Sequence, residues 1–146
     1  MASGFIFLDD VALADMAFDA TGDSPEELFQ AATQALIESL ADPGTVRPLW
    51  KETVELEGED LADLLFDWLN QLVYLKDAKA VVFHKVTLSL RQSEPSRGWR
   101  LRAQVSGATV DSTTQDLRSD VKGVTKHLYA VRREGGTWNA RVVLDV

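Results

Sequence analysis

The sequence contains no cysteine. That excludes a disulfide framework, a thiolate metal site and a cysteine nucleophile, and it leaves the chain indifferent to the redox state of its compartment. Internal repeats, low-complexity tracts and a glycine-rich nucleotide-binding loop are also missing, and no linker divides the chain. Positive charge is scarce: 15 Lys and Arg stand against 23 Asp and Glu, a net charge of −8. Such a field repels phosphate backbones and attracts cations or basic protein surfaces, so strong direct nucleic-acid binding is not expected. No apolar run approaches a membrane span, and Met1-Ala-Ser-Gly-Phe-Ile-Phe-Leu8 lacks the basic start and longer apolar core of a secretory signal. The expected location is cytoplasmic.

What is present is enough for one core. With 146 residues, 45% of them hydrophobic, the chain matches one ordinary domain over 1–146 that folds without metals or cross-links to hold it. Ser24-Pro-Glu-Glu27 is a helix start: Ser can cap, Pro suits the first helical position, and Glu27 stands where a capping box needs it. Leu28, Ala32, Ala35, Leu36 and Leu40 follow at helical spacing until Asp42-Pro-Gly44 stops the run. In a second helix Leu61, Leu64, Leu65, Trp68, Leu69 and Leu72 form an apolar stripe. Glu59, Asp60 and Asp63 suit the positive end of its dipole, and Lys76 and Lys79 suit the other.

Elsewhere the period is two. Val82, His84, Val86, Leu88 and Leu90 alternate with polar residues, as do Trp99, Leu101, Ala103 and Val105, with Ser93 to Gly98 as the hairpin loop between them. Val121 to Arg132 and Trp138 to Val146 form a second hairpin around Glu134-Gly-Gly136, and Gly107 to Ser119 is a polar connection. Phe5 to Leu8, Met16 to Ala20 and Val46 to Glu57 are further strand candidates. The expected fold is α+β: a two-layer sandwich of two amphipathic helices on one face of a mostly antiparallel sheet.

Two carboxylates draw attention. In the last strand Trp138, Ala140, Val142 and Leu144 share one side, which turns Asn139, Arg141, Val143 and Asp145 to the other. Near the start, Met16, Phe18 and Ala20 share a side, so Asp15 falls with Ala17, Asp19 and Thr21 opposite. If the first and last strands are neighbours, Asp15, Asp145 and the Val146 carboxylate could offer oxygen ligands to Ca²⁺ or Mg²⁺. On the residues alone the plainer reading is that Asp15 ends a loop and Asp145 keeps a strand edge soluble.

The other candidates read as structural. His84 and His127, the two histidines, lie inside strand patterns without a Ser or second His at a metal-binding spacing. His84 reads as a partly buried structural residue, and His127 could line a groove, but neither has a local proton-transfer partner. Asp67 on the polar flank of the second helix reads as solvated, and Trp68 as core rather than a cofactor platform. Arg97, Arg100 and Arg102 read as a solvated strand surface.

Several separated motifs resemble archease, a small family of RNA-ligase accessory proteins, in order and over nearly the whole length. Asp10-Val-Ala-Leu-Ala-Asp-Met-Ala-Phe-Asp-Ala-Thr-Gly22 resembles the family's Asp-His-Thr-Ala-Asp segment and the strand after it. Here the His-Thr pair is absent and the spacing from Asp10 to Asp15 is one residue longer, with Asp9 and Asp10 as partial substitutes. Ser24-Pro-Glu-Glu-Leu-Phe29 resembles the first helix start, and Leu64-Leu-Phe-Asp-Trp-Leu-Asn-Gln-Leu-Val-Tyr74 the most characteristic helix. Val121-Lys-Gly-Val-Thr-Lys-His127 and Val143-Leu-Asp-Val146 resemble the closing strands. The resemblance implies a metal held by Asp15, Asp145 and Val146, often described as calcium. It also implies a non-catalytic partner of an RtcB-type RNA ligase that promotes ligase guanylylation and repeated turnover. Other readings from the residues are a metal-dependent hydrolase using Asp15, Asp145 and His127, and a chaperone-like interaction module.

Overall fold

Both helices form where local chemistry dictates, and their ends show how. The computed structural model describes residues 3–8, 15–93 and 98–146; Asp9, Asp10, Arg97 and the middle of the Ser93 to Gly98 loop lie outside these. Helix α1 (Pro25–Leu40) begins at Ser24, whose hydroxyl accepts from the Glu27 amide at 3.2 Å. Glu27 returns the contact one residue earlier than a standard capping box, its Oε1 accepting from the Asp23 amide at 3.1 Å. The helix ends at Ala41, and Asp42 then caps a short 3₁₀ turn, Pro43–Thr45. Helix α2 (Leu61–Lys79) starts at Asp60, whose carboxylate accepts from the Asp63 amide at 2.8 Å. It stops at Ala80 in the left-handed conformation, φ 52°.

Seven strands complete the chain: β1 (Gly4–Leu8), β2 (Met16–Gly22), β3 (Trp50–Gly58), β4 (Val81–Gln92), β5 (Trp99–Thr109), β6 (Gly123–Glu134) and β7 (Thr137–Asp145). Every pairing is antiparallel, so the fold is α+β as the periodicities indicate. The strands do not form one sheet, however. They divide into a four-stranded sheet, β1-β2-β7-β6, and a three-stranded sheet, β3-β5-β4.

The helices join the two sheets. Helix α1 packs on β2 and β4, and α2 on β6 and β3, so each touches both sheets around one apolar core. Trp68 is fully buried at the meeting of the helices, and its indole N–H donates to Thr33 Oγ1 at 2.8 Å. Thr33 in turn donates to the Phe29 carbonyl at 2.6 Å, which satisfies both polar atoms inside the core. Helix α1 also covers the free edge of β4: Glu26 accepts from the Leu90 amide at 2.9 Å, and Gln30 donates to the Val86 carbonyl at 2.8 Å.

Several boundaries move from the sequence reading. Val46 closes the 3₁₀ turn and β3 begins only at Trp50, while β5 runs on to Thr109 beyond the point where a polar connection is expected. The extension depends on Gly107, where a Cβ would stand 2.0 Å from the Val82 carbonyl oxygen. The Gly135-Gly136 turn is as the pattern indicates, both residues having positive φ, 57° and 87°. Among the described residues no helix is long and apolar enough to cross a membrane.

Candidate functional site

The register of β2 against β7 decides which residues meet. Met16 pairs with Leu144. Asp15 therefore stands immediately before the last pair of this ladder and Asp145 immediately after it, so the two carboxylate-bearing residues abut at one end of the four-stranded sheet. Asp145 is also opposite Gly123 of β6, and its carbonyl accepts from the Lys122 amide at 2.7 Å. Asp145 and Val146 are exposed and Asp15 is half-buried. Among the described residues neither aspartate has an ion-pair partner. No three His, Cys, Asp or Glu side chains converge as a metal cluster among them either. His127 thus does not join Asp15 and Asp145, and the third donor of the expected set is a main-chain carboxylate.

The facing pattern of the last strand holds with one difference. Ala140, Val142 and Leu144 are buried and Arg141 and Asp145 exposed, but Val143 and its partner Ala17, on the other side, are buried as well. The outer face of this sheet is closed at the Asp15 and Asp145 end. Farther along, Arg141 donates two hydrogen bonds to Asp19, from Nε to Oδ1 and from Nη2 to Oδ2, both at 2.9 Å. The bonded carboxylate holds the guanidinium pKa above its usual range. The alternation had already put Asp19 and Arg141 on one side; only the pairing of their strands was missing.

Asn70 is the residue that sequence reasoning undervalued. It lies on the flank of α2 facing β6, and its amide clamps the edge strand: Oδ1 accepts from the Val124 amide at 3.0 Å, while Nδ2 approaches the Val124 carbonyl at 3.4 Å. Nδ2 also donates to the Phe66 carbonyl a turn earlier at 3.2 Å. Because Val124 follows Gly123, the partner of Asp145, this clamp sets the position of β6 beside Asp145. An Asn among apolar helix residues, at the spacing of the Phe66 and Trp68 turn, is a sequence signal of such a clamp, but its target strand lies 54 positions away.

Past the clamp β6 leaves register between Thr125 and Ala130. Within this bulge His127 is exposed, and its amide donates to Thr125 Oγ1 at 3.2 Å. Leu128 takes a positive φ of 56° and stays exposed. Tyr129 turns back to α2, donating to the Ala62 carbonyl at 2.6 Å and meeting Phe66 edge to face. Burial, with the nearby Asp63, Asp60 and Asp67 carboxylates, raises its phenol pKa well above the usual range. Lys126 Nζ lies 4.1 Å from the Phe66 ring centroid and 3.6 Å from Asp63. Asp67 is exposed on α2, as expected.

His84, Arg100 and Arg102 have the structural roles expected of them. His84 sits in a bulge of β4, and its Nδ1 lies 2.7 Å from the Val46 carbonyl oxygen. A carbonyl only accepts, so Nδ1 carries the proton in this contact. Arg100 and Arg102 pair across β3 with Glu57 and Glu55, at 2.8 and 2.9 Å.

Fold and site together describe a two-sheet α+β protein in which β2 and the last strand, β7, meet at an acidic end. Residues 5–146 match the archease protein family (MTH1598/TM1083). The chain belongs to the archease family. "Protein archease" of Methanopyrus kandleri is 32% identical over 133 residues, covering 91% of this chain and 94% of that one. The protein of that description from Methanothermobacter thermautotrophicus is 33% identical over 143 residues, covering 98% and 99%. The solution structure of Methanobacterium thermoautotrophicum protein 1598 superposes with a TM-score of 0.80 at 31% identity, over 98% of this chain and 99% of that one. A Thermotoga maritima crystal structure, described as an archease and possible chaperone, shares the fold with a TM-score of 0.64 at 20% identity, over 92% and 93%.

Proposed function

We propose that this protein is an accessory factor of an RtcB-type RNA ligase. In this reading it promotes guanylylation of the ligase and its repeated turnover, and does not itself catalyse RNA joining. Family membership along residues 5–146 is the observation that carries the reading. The abutting Asp15 and Asp145 support it further, because the ladder brings together two of the three residues that the family pattern assigns to a metal.

The proposed site is Asp15, Asp145 and the carboxylate of Val146, and the proposed ion is divalent: calcium, with magnesium as the alternative. The donors fit a hard cation, being oxygen only. The two aspartates, side by side without an ion-paired cation among the described residues, also gain from a positive charge between them. When bound, the ion supplies charge that offsets phosphate oxygens during nucleotidyl transfer. The protein's own residues do the rest: Asp15 and Asp145 hold the ion, Asn70 positions the strand beside Asp145, and the acidic surface favours approach to a cationic nucleotide pocket on the ligase.

The test is multiple-turnover guanylylation and RNA joining by the cognate ligase, with wild-type protein beside Asp15→Ala and Asp145→Ala. Stimulation by wild type and at least about a tenfold loss in both variants is expected, in line with removal of a metal ligand. Variants that stimulate fully and retain calcium would overturn the site assignment. A wild-type protein without effect would overturn the ligase reading and leave family membership standing. The description of the Thermotoga maritima protein as a possible chaperone favours a second reading, an interaction module; client binding insensitive to chelator is its signature.

A further inference from the structure

The outer face of the three-stranded sheet has a charge opposite to that of the whole molecule. Its register stacks four rows across β3, β5 and β4: Lys51, Ser106 and Lys85; Thr53, Gln104 and Thr87; Glu55, Arg102 and Ser89; Glu57, Arg100 and Arg91. Five cations and two carboxylates make 5 − 2 = +3, so the rest of the chain carries −8 − 3 = −11. Arg100 and Arg102 spend their charge on Glu57 and Glu55. Lys51, Lys85 and Arg91 have no ion pair among the described residues. The face carries two shallow depressions. One depression of about 550 Å³ lies over the arginine rows, and another of about 320 Å³ lies between Lys51 and Lys85, floored by Ser106 and Gln104.

The geometry points to this face as a docking surface for the phosphate backbone of a nucleic-acid duplex. Rows on one face of a strand repeat about every 6.8 Å, twice the rise per residue, so the lysine row and the Arg91 row, three steps apart, stand about 20 Å from each other along the face. The two lysines flank Ser106 at one end and Arg91 lies at the other. Between them the Ser106 hydroxyl donates to the Lys85 carbonyl and that of Thr53 to Gln104 Oε1, which leaves the Thr87 and Ser89 hydroxyls and the Gln104 Nε2 amide to donate to phosphate and sugar oxygens. None of the outward side chains is aromatic, which leaves no platform for unstacked bases and favours a duplex, held without reading its sequence. The negative remainder of the molecule weakens long-range attraction. At physiological salt, however, charges more than about 8 Å away are largely screened, and the local +3 governs contact. Weak local contact of this kind is compatible with the expectation, from net charge, that strong nucleic-acid binding is absent. The proposal goes beyond the ligase reading and is tested without a ligase.

The experiment is fluorescence anisotropy of a labelled RNA hairpin, titrated with the isolated protein between about 50 and 200 mM salt. The expected result is weak binding, with a dissociation constant near 10⁻⁴ M at the low end and an association constant that falls log-linearly with salt, with a slope of about 0.9 per phosphate engaged. The Lys51→Glu, Lys85→Glu double variant is expected to bind at least about tenfold more weakly with a shallower slope. Lys51→Gln, Lys85→Gln should lie between, and Arg132→Glu on the other sheet should match wild type. A DNA duplex of the same sequence binding equally supports backbone recognition. Absence of binding at the lowest salt, loss in Arg132→Glu alone, or equal displacement by poly-glutamate, which would mark an acidic protein partner, overturns the proposal.

Discussion

The two sheets differ in regularity, and the difference follows what each presents. In the three-stranded sheet β3 and β5 stay in register from Trp50 to Gly58, β4 departs only by the one-residue bulge at His84, and the outward rows beyond it are polar throughout. In the four-stranded sheet β6 loses register between Thr125 and Ala130, Leu128 adopts a positive φ, and the strand is held to α2 by the Asn70 amide before the break and the Tyr129 hydroxyl within it. The regular sheet offers an even surface suited to a repeating ligand. The irregular one concentrates distinct groups at one end, beside Asp15 and Asp145. Evenness suits contact spread along a face, and a broken ladder aims side chains at a point.

The contrast can be broken hardest at Gly107. Gly107→Ala puts a Cβ into the Val82 carbonyl, and a loss of about 3 kcal/mol in urea unfolding is expected, with β5 and β4 forced apart. Asn70→Ala should act on the other sheet and cost less, about 1–2 kcal/mol, since the Val124 amide loses its acceptor. Hydrogen exchange sharpens the comparison: Val124 should exchange faster, while the amides of β3 and β5 keep their protection. Equal loss of protection in both sheets would show that the clamp is not local.

The smallest effect belongs to the loop before β6. Lys76, only 7% exposed, meets Asp77 and Asp120 at 2.7 and 2.8 Å. Burial alone would lower its pKa, but the hydrogen bonds and charges of the two carboxylates outweigh it and raise the value. The Lys76 hydrogen bond and then its charge lower the pKa of Asp120. A depressed carboxylate stabilises the fold above its unfolded pKa near 4, and that contribution is lost as pH falls through the folded value. The raised lysine contributes below about pH 10.5 and loses its effect as pH rises through its folded value. Asp120 is largely exposed, so Asp120→Asn should cost less than about 1 kcal/mol at neutral pH, and the difference from wild type should shrink below pH 4 in a pH series of melts.

Local features were legible in the sequence because their physics is local. Ser24 and Pro25 start a helix, and the leucine and tryptophan stripe of α2 closes on the core. Gly135 and Gly136 make the turn that brings β6 against β7. What was hidden depends on partners distant in the chain. Alternation identifies strands but not neighbours, so one sheet was expected where there are two. It also runs on through the bulge at His127 without marking it, and it sends Val143 to a polar side that proves buried. The meeting of Asp15 and Asp145 was expected from supposing the first and last strands adjacent; it is the second strand, β2, that lies beside the last, with β1 outside it. Asn70 could be named as polar but not matched with Val124. The rows of Lys51 and Lys85 come from segments that only pairing through Ser106 brings together.

That the helices rest on both sheets, which are not hydrogen-bonded to each other among the described residues, has a mechanical consequence. A pull on β6, such as a partner gripping the Asp145 end would exert, passes through Asn70 into α2, and α2 also rests on β3. The helix therefore works as a crossbar: load applied at the acidic end reaches the cationic face through its rigid axis rather than through a chain of hydrogen-bonded strands.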